Sequence, residues 1–130
     1  MTNLEIVRST YEGKNSAENG QNLSRHAADD IAWTEAKGFP YGGTYTGMEA
    51  IGKNVFHRLA TEWTDYTFTP EAYVSEADNV VAYGTYTAVN NSTGKSLTAR
   101  VAHLWQLKGG KIVRFEQFVD SQTVNDTYKI

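Results

Sequence analysis

Chemistry in this chain would be done by a few polar side chains on otherwise apolar strand faces. Glu35 shares one face of a predicted strand with Ile31 and Trp33, because these apolar residues occur at every second position before it. If that face is internal, burial raises the pKa of Glu35 towards the value of about 6 to 7 that suits a general base at neutral pH. The alternative is a solvated glutamate at the open end of a short strand.

His103 occupies the same kind of position, between Val101 and Trp105 in a second alternating run. A neutral imidazole in an apolar pocket can donate a hydrogen bond to a carbonyl oxygen or shuttle a proton. The alternative is a core histidine bonded to Tyr11, Gln117 or a buried water, since buried polar groups normally have partners. The pattern therefore predicts a buried His103 and leaves its chemistry open.

His103 belongs to the first of two predicted C-terminal strands, 96–107 and 112–121, which are joined by a turn with two adjacent glycines. In both strands the apolar side chains occupy odd-numbered positions. Two such faces meet only across a turn with an odd number of residues, so we predict a three-residue turn with a glycine bulge. This register places His103 beside Phe115 and Gln117 on a concave apolar surface.

The remaining elements are predicted from local signals. Thr2 with Glu5, and Thr46 with Glu49, have the spacing of capping boxes, and Asn19-Gly20 is a stop signal. Three helices are predicted, from Thr2 to about Ala17, over 23–28 and over 48–62. Three further strands are predicted over 31–35, 66–75 and 79–89. We also predict a loop over 38–47 and a tail over 121–130 that packs on a neighbour or frays.

Helices followed by long strands with short connections predict one α+β domain over residues 1–130. The helices are expected to cover one face of a strongly bent antiparallel sheet. With 130 residues, the chain can bury one core but not two.

Composition argues against several classes of function. The net charge of −3 and the absence of a Lys/Arg cluster argue against nucleic-acid and anionic-membrane partners. The lack of cysteine excludes disulfides, thiolate catalysis and cysteine-ligated metals. No apolar run approaches the ~20 residues of a membrane span and no signal peptide is apparent, so we expect a cytoplasmic protein. His26 and His57 lack partners at ligand spacing, so neither a metal nor a cofactor is predicted.

The order of these elements, together with three short motifs, resembles a known family. The motifs are Ala-Asp-Asp-Ile-Ala-Trp-Thr-Glu, Gly-Thr-Tyr-Thr-Gly and His-Leu-Trp-Gln-Leu-Lys-Gly-Gly-Lys-Ile-Val-Arg-Phe. Over residues 2–122 the chain resembles the ketosteroid-isomerase-like and SnoaL-like polyketide-cyclase proteins of the nuclear-transport-factor-two-like fold. The resemblance implies a cone-shaped α+β barrel around one deep apolar cavity, and usually a homodimer.

The resemblance also implies roles for individual residues. Counted from the shared Ala-Asp-Asp, the oxyanion-hole tyrosine of ketosteroid isomerase falls on Tyr11, and its aspartate base falls on Glu35. Its second oxyanion donor, a protonated aspartate, falls on His103. Packing alone is the alternative for Tyr11. Asp120 stands where relatives often carry an acid, so acid-base work is one reading, although strand parity points it away from the cavity and favours a structural or dimer role.

The aromatic share of 12% is generous for a chain of this size and favours a cavity lined by aromatic rings. The predicted function is cofactor-independent acid-base chemistry of the isomerase, cyclase or dehydratase type on an apolar, carbonyl-bearing molecule. The alternatives are a non-catalytic binding protein for a lipophilic molecule and an interaction module that uses the outer sheet face. The predicted ligand-lining residues are Trp33, Phe39, Tyr41, Val55, Phe56, Leu59, Trp63, Tyr86, Trp105, Phe115 and Gln117.

Overall fold

The computed structural model describes residues 1–130 and places five helices around a six-stranded sheet. The α+β class is confirmed. The helices are α1 (Asn3–Ser9), α2 (Ser16–His26), α3 (Met48–Ile51), α4 (His57–Glu62) and α5 (Ser121–Asp126), with a π-helical turn, Gly52–Phe56, between α3 and α4. The strands are β1 (Ala27–Glu35), β2 (Gly43–Thr46), β3 (Trp63–Glu76), β4 (Asn79–Asn90), β5 (Ser96–Lys108) and β6 (Lys111–Val119).

The strand order is β2-β1-β6-β5-β4-β3, and the sheet is mixed. All neighbours are antiparallel except β1 and β6, which run parallel. The prediction of a wholly antiparallel sheet was wrong at this pair, because short connections constrain only strands that are consecutive in the chain. The sheet does not close, since β2 and β3 are its two edges, so the cone is an open one and not a complete barrel.

The first helix is shorter than predicted. Its capping box is present, with the Thr2 hydroxyl accepting from the Glu5 N–H at 3.1 Å and the Glu5 carboxylate accepting from the Thr2 N–H at 2.8 Å. However, α1 ends at Ser9 instead of near Ala17.

The second helix begins earlier than predicted. It starts after Asn15, whose side chain caps it by accepting from the Glu18 N–H at 2.9 Å, and it continues through Asn19 and Gly20. The Asn-Gly pair was therefore wrongly read as a stop, and the cap at Asn15 was missed. A single glycine weakens a helix without ending it.

The helical run predicted over 48–62 is present, with the π-helical turn inside it. Ile51 and Val55 of this run are buried. The predicted capping box is absent, because Gly47 is the N-cap residue, with a φ of 84°, and no side chain caps the helix. No helix of the protein is long and apolar enough to cross a membrane.

The β5–β6 hairpin has the predicted register but a different turn. Gly109 and Gly110 form a two-residue turn, both with positive φ (56° and 77°), so the three-residue turn was wrong. The two apolar faces still need one extra residue between them in order to meet. That residue is Val113, which bulges out of β6 where the pairing with β5 shifts. His103 therefore pairs with Gln117, as predicted.

Two segments predicted as irregular are ordered elements. The glycine-rich loop contains β2, which pairs with β1 through Trp33 and Tyr45. The C-terminal segment forms α5, whose Val124 is fully buried, so the prediction of a tail that frays or packs on a neighbour was wrong. The Asn90 amide donates to Thr127 at 3.1 Å and fixes the end of this segment to the sheet.

Candidate active site

A cavity of about 570 Å³ lies between the helices and the inner face of the sheet. Its floor is aromatic: Trp33 stacks on Phe115 with ring centroids 3.7 Å apart, and Trp105 meets Phe115 edge-on at 4.8 Å. Of the residues predicted from the sequence, Tyr11, Trp33, Glu35, Val55, Phe56, Leu59, Trp63, Tyr86, His103, Trp105 and Phe115 line this cavity.

Glu35 is the acidic group in the interior of the cavity. It is the last residue of β1, and its side chain points inward with Ile31 and Trp33, so it is only 3% exposed. Burial raises its pKa from 4.5 to about 8. The Trp33 indole opposes this rise in part, yet its N–H is not in hydrogen-bond geometry, and Oε2 of Glu35 has no hydrogen-bond partner.

His103 lies between two tyrosine hydroxyls. The Tyr11 hydroxyl is 2.6 Å from Nδ1, and the Tyr86 hydroxyl is 2.6 Å from Nε2. Burial lowers the pKa of His103 from 6.5 to about 3, so the ring is neutral at physiological pH. Both ring nitrogens are already engaged, and a ligand that bonds directly to His103 would have to replace one of the tyrosines.

Each tyrosine hydroxyl also accepts a hydrogen bond from another side chain. Trp105 Nε1 donates to the Tyr11 hydroxyl at 2.8 Å, and Gln117 Nε2 donates to the Tyr86 hydroxyl at 2.9 Å. A neutral imidazole has one N–H, so His103 donates to one tyrosine and accepts from the other. The tyrosine that accepts from His103 retains its own hydroxyl hydrogen, which none of these four hydrogen bonds uses.

Tyr11 is held from its backbone as well as its hydroxyl. The prediction placed Tyr11 on the first helix, but it lies in the turn that follows α1. The Asn19 amide donates to the Tyr11 carbonyl oxygen at 3.3 Å and accepts from the Gly13 N–H at 2.7 Å. Asn19 on α2 therefore fixes the turn that carries Tyr11.

Gln117 acts from behind the cavity wall. Its Oε1 accepts from the Ala36 N–H at 3.1 Å while its amide donates to Tyr86. It thus connects the tyrosine to the backbone next to Glu35. It was predicted as a ligand-lining residue, but the structure places it outside the lining.

Phe39 and Tyr41 also lie outside the lining, in a neighbouring cluster of buried side chains. The Tyr41 hydroxyl donates to Glu62 at 2.9 Å and accepts from Trp63 Nε1 at 3.0 Å. Phe39 and Tyr41 of the glycine loop therefore pack into the core and not along the rim of the cavity.

Asp120 does not line the cavity. It is the exposed N-cap residue of α5, where Oδ1 accepts from the Thr123 N–H at 3.1 Å and Oδ2 from the Thr123 hydroxyl at 2.6 Å. These bonds lower its pKa. The position agrees with the structural reading of Asp120 and gives no contact through which it could act on a ligand in the cavity.

Sequence reasoning missed one wall of the cavity. Tyr66 and Phe68 of β3 line it, and the Tyr66 hydroxyl is buried without a hydrogen-bond partner. The alternation of the two residues was a usable signal, since positions two apart share a strand face. The other residues missed are Thr10, Ser16, Asn19, Gly20, Leu23, Ala60 and Asp65. No group of three or more His, Cys, Asp or Glu side chains is placed to hold a metal ion.

Comparison with known proteins places this geometry in context. Residues 7–115 match the model of the SnoaL-like domain family. A nuclear-transport-factor-two-like protein from Burkholderia thailandensis is 38% identical over 100% of this chain and 99% of its own, with a TM-score of 0.94. A protein from Catenulispora acidiphila with a ketosteroid-isomerase-like fold, in complex with trimethylamine, is 19% identical over 98% of this chain and 94% of its own, with a TM-score of 0.77. No curated protein matches the sequence.

Proposed function

The chain belongs to the SnoaL-like domain family, and from this premise we propose that it is a cofactor-independent enzyme of the isomerase, cyclase or dehydratase type. Its substrate is an apolar, carbonyl-bearing molecule held in the cavity. The observation that carries this proposal is Glu35, a buried carboxyl group with an unpartnered oxygen and a pKa raised to about 8, inside an aromatic cavity. Such shifts are concentrated at functional sites.

Glu35 is the proton-transfer group. Its ionised form takes a proton from the carbon next to the substrate carbonyl, the C–H electron pair moves into an enolate, and the resulting carboxylic acid returns the proton at another carbon. The step conserves protons and needs no second reactant. Since the pKa is about 8, about a tenth of the enzyme is ionised at pH 7, and activity should rise with pH to a plateau above 8.

The tyrosine hydroxyl left with a free hydrogen is the donor to the enolate oxygen. Donors that are already oriented in a dry site stabilise developing negative charge without reorganisation, and removal of one such donor typically costs about 10²–10³ in rate. His103 is a positioning residue in this scheme, because it acts through Tyr11 and Tyr86 and its neutral ring decides which of them keeps the hydrogen.

The test uses 2-tetralone, a bicyclic enolisable ketone, and follows exchange of its α-protons with D₂O by NMR. We expect exchange above the buffer rate for the wild type and a loss of at least ~100-fold in the enzymatic rate for Glu35→Gln, in line with the usual size of general-base effects. Asp120→Asn is the matched control, since it removes a carboxylate outside the cavity.

Equal exchange rates for the wild type and Glu35→Gln would refute the role of Glu35. Saturable binding of 2-tetralone without exchange by the wild type would instead indicate a binding protein.

A further inference from the structure

The part of the cavity wall that α2 forms is apolar at its inner end and polar at its outer end. The lining residues of this helix are Ser16, Asn19, Gly20 and Leu23, which lie on one face because they are three or four positions apart. Leu23 is buried at the inner end, whereas Ser16 and Gly20 are exposed at the outer end. Asn19 is occupied by its bonds to the turn that carries Tyr11. The outer end of this face is therefore small and polar.

Gly20 stands at a helix position where a larger residue would be expected. Glycine inside a helix is destabilising relative to alanine, so it needs a reason. The backbone supplies none, because the φ of Gly20 is not positive. Packing supplies none either, because a Cβ added at Gly20 would meet no atom within 4 Å. The space beside Gly20 is thus open, and Gly20 is one of the residues that line the cavity.

A second local cost is found elsewhere in the cavity lining. Ala60 of α4 and Asp65 of β3 line the cavity, and both are exposed. Asp65 has a φ of 54°, in the left-handed region that residues other than glycine rarely adopt, and it lies where the pairing of β3 with β4 is interrupted. Such conformations are concentrated at ligand-binding sites. Here Asp65 is the one exposed acidic residue in the lining of the cavity.

We propose that Gly20 keeps open a portal between α2 and the Ala60–Asp65 rim, through which one substituent of the bound ligand extends to solvent. The inner rings of the ligand occupy the aromatic floor, and the extending substituent carries a hydrogen-bond donor, a hydroxyl or an ammonium group, that Asp65 accepts. This inference rests on the proposed use of the cavity as a ligand site but not on any reaction there. Gly20 is then a residue that determines specificity by its lack of a side chain.

The test compares two probes, 2-acetylnaphthalene and its 6-(3-aminopropoxy) derivative, whose ammonium group can reach the portal. Binding is measured by quenching of tryptophan fluorescence, since Trp33, Trp63 and Trp105 all line the cavity. The variants are Gly20→Ala, Gly20→Leu and Asp65→Asn. Gly52→Leu is the matched control, because Gly52 is also helical and clear of contacts but does not line the cavity.

We expect Gly20→Leu to weaken binding of the derivative by about 10-fold or more and to change binding of the parent by less than about 2-fold, since pocket size discriminates on this scale. Gly20→Ala should have a smaller effect in the same direction while raising the melting temperature. Asp65→Asn should weaken only the derivative, by about 2- to 5-fold at low salt, as expected for an exposed charge pair, and the difference should fade at high salt. Gly52→Leu should bind both probes like the wild type.

The portal proposal is refuted if Gly20→Leu binds the derivative as tightly as the wild type does. It is also refuted if Gly20→Leu weakens binding of both probes equally while Gly52→Leu has no effect. Folding of each variant is checked by circular dichroism, and Gly20→Ala still tests the portal if Gly20→Leu does not fold. Binding of neither probe by the wild type would overturn the ligand cavity and the portal together. Binding of both probes without exchange of 2-tetralone would leave the portal standing and refute only the proposed enzyme.

Discussion

The burial of Glu35 makes a prediction about stability that requires no knowledge of the substrate. In the unfolded chain its carboxyl group gives up its proton near the ordinary pKa of 4.5, whereas in the folded protein it does so at about 8. Between these values the folded state binds one proton more than the unfolded state at this site. The free energy of unfolding therefore falls as pH rises through this window.

The magnitude follows from the same shift. A rise of between three and four pKa units corresponds to about 4–5 kcal/mol, at about 1.36 kcal/mol per unit. The whole contribution is present below pH 4.5, declines by about 1.4 kcal/mol per pH unit, and is gone above about pH 8. Glutamine at this position does not titrate, so the stability of Glu35→Gln relative to the wild type should increase by about 4 kcal/mol between pH 5 and 8.

The measurement is urea denaturation of both proteins at half-unit pH steps, followed by tryptophan fluorescence. The difference between the two curves isolates Glu35, because the other groups titrate in both proteins. A constant offset from the new amide does not affect the slope. Glu76→Gln, at an exposed position, should differ from the wild type by less than about 0.5 kcal/mol at every pH.

A flat difference between Glu35→Gln and the wild type from pH 5 to 8 would refute the reasoning. It would mean that the carboxylate is as well solvated in the folded protein as in the unfolded chain. The case for Glu35 as a proton-transfer group near neutral pH would then fail as well.

Three further predictions concern other parts of the molecule. Because burial lowers the pKa of His103 to about 3, the free energy of unfolding should fall by about 1.4 kcal/mol per unit as pH drops below 6.5, and His103→Gln should lose this dependence in urea titrations; an unchanged slope would contradict a buried neutral ring. Asp120→Ala should cost about 1 kcal/mol through loss of the α5 cap and leave 2-tetralone exchange intact, whereas loss of exchange would place Asp120 in the site. Phe118 and Tyr83 are exposed on the outer sheet face, so we propose a homodimer through this face: Phe118→Glu should shift the mass measured by light scattering from dimer to monomer, and a monomeric wild type would contradict it.

The inward orientation of Glu35 and His103 could be predicted because each lies in an alternating run with large apolar neighbours. Shifting either strand by one residue would turn its apolar side chains towards solvent. The alternating pattern therefore determines which face of each strand is internal. Their common cavity could be predicted only through the family resemblance. Strand alternation says which face a residue is on, but not which distant strand completes that face.

The hydrogen-bond partners of His103 could not be predicted in full. The sequence left Tyr11 open as one of several partners. It predicted Tyr86 only as a lining residue, because the bond from Tyr86 to Nε2 depends on the register between β4 and β5. The boundary between α1 and α2 failed for a different reason. Asn15 and Gly20 both carry signals of a helix terminus, and only tertiary packing decides between such signals.

The bulge at Val113 makes the β5–β6 hairpin one residue longer than a regular ladder requires. A chain that lacked Val113 could form the same pairs from Gln106–Arg114 onward, with the same side chains turned inward, and would lose only the local kink and extra twist. The bulge and the chemical lining of the cavity thus involve different residues, since Val113 does not line the cavity. A relative could therefore lose this residue by a single deletion and still present the same inward-facing groups to a bound molecule.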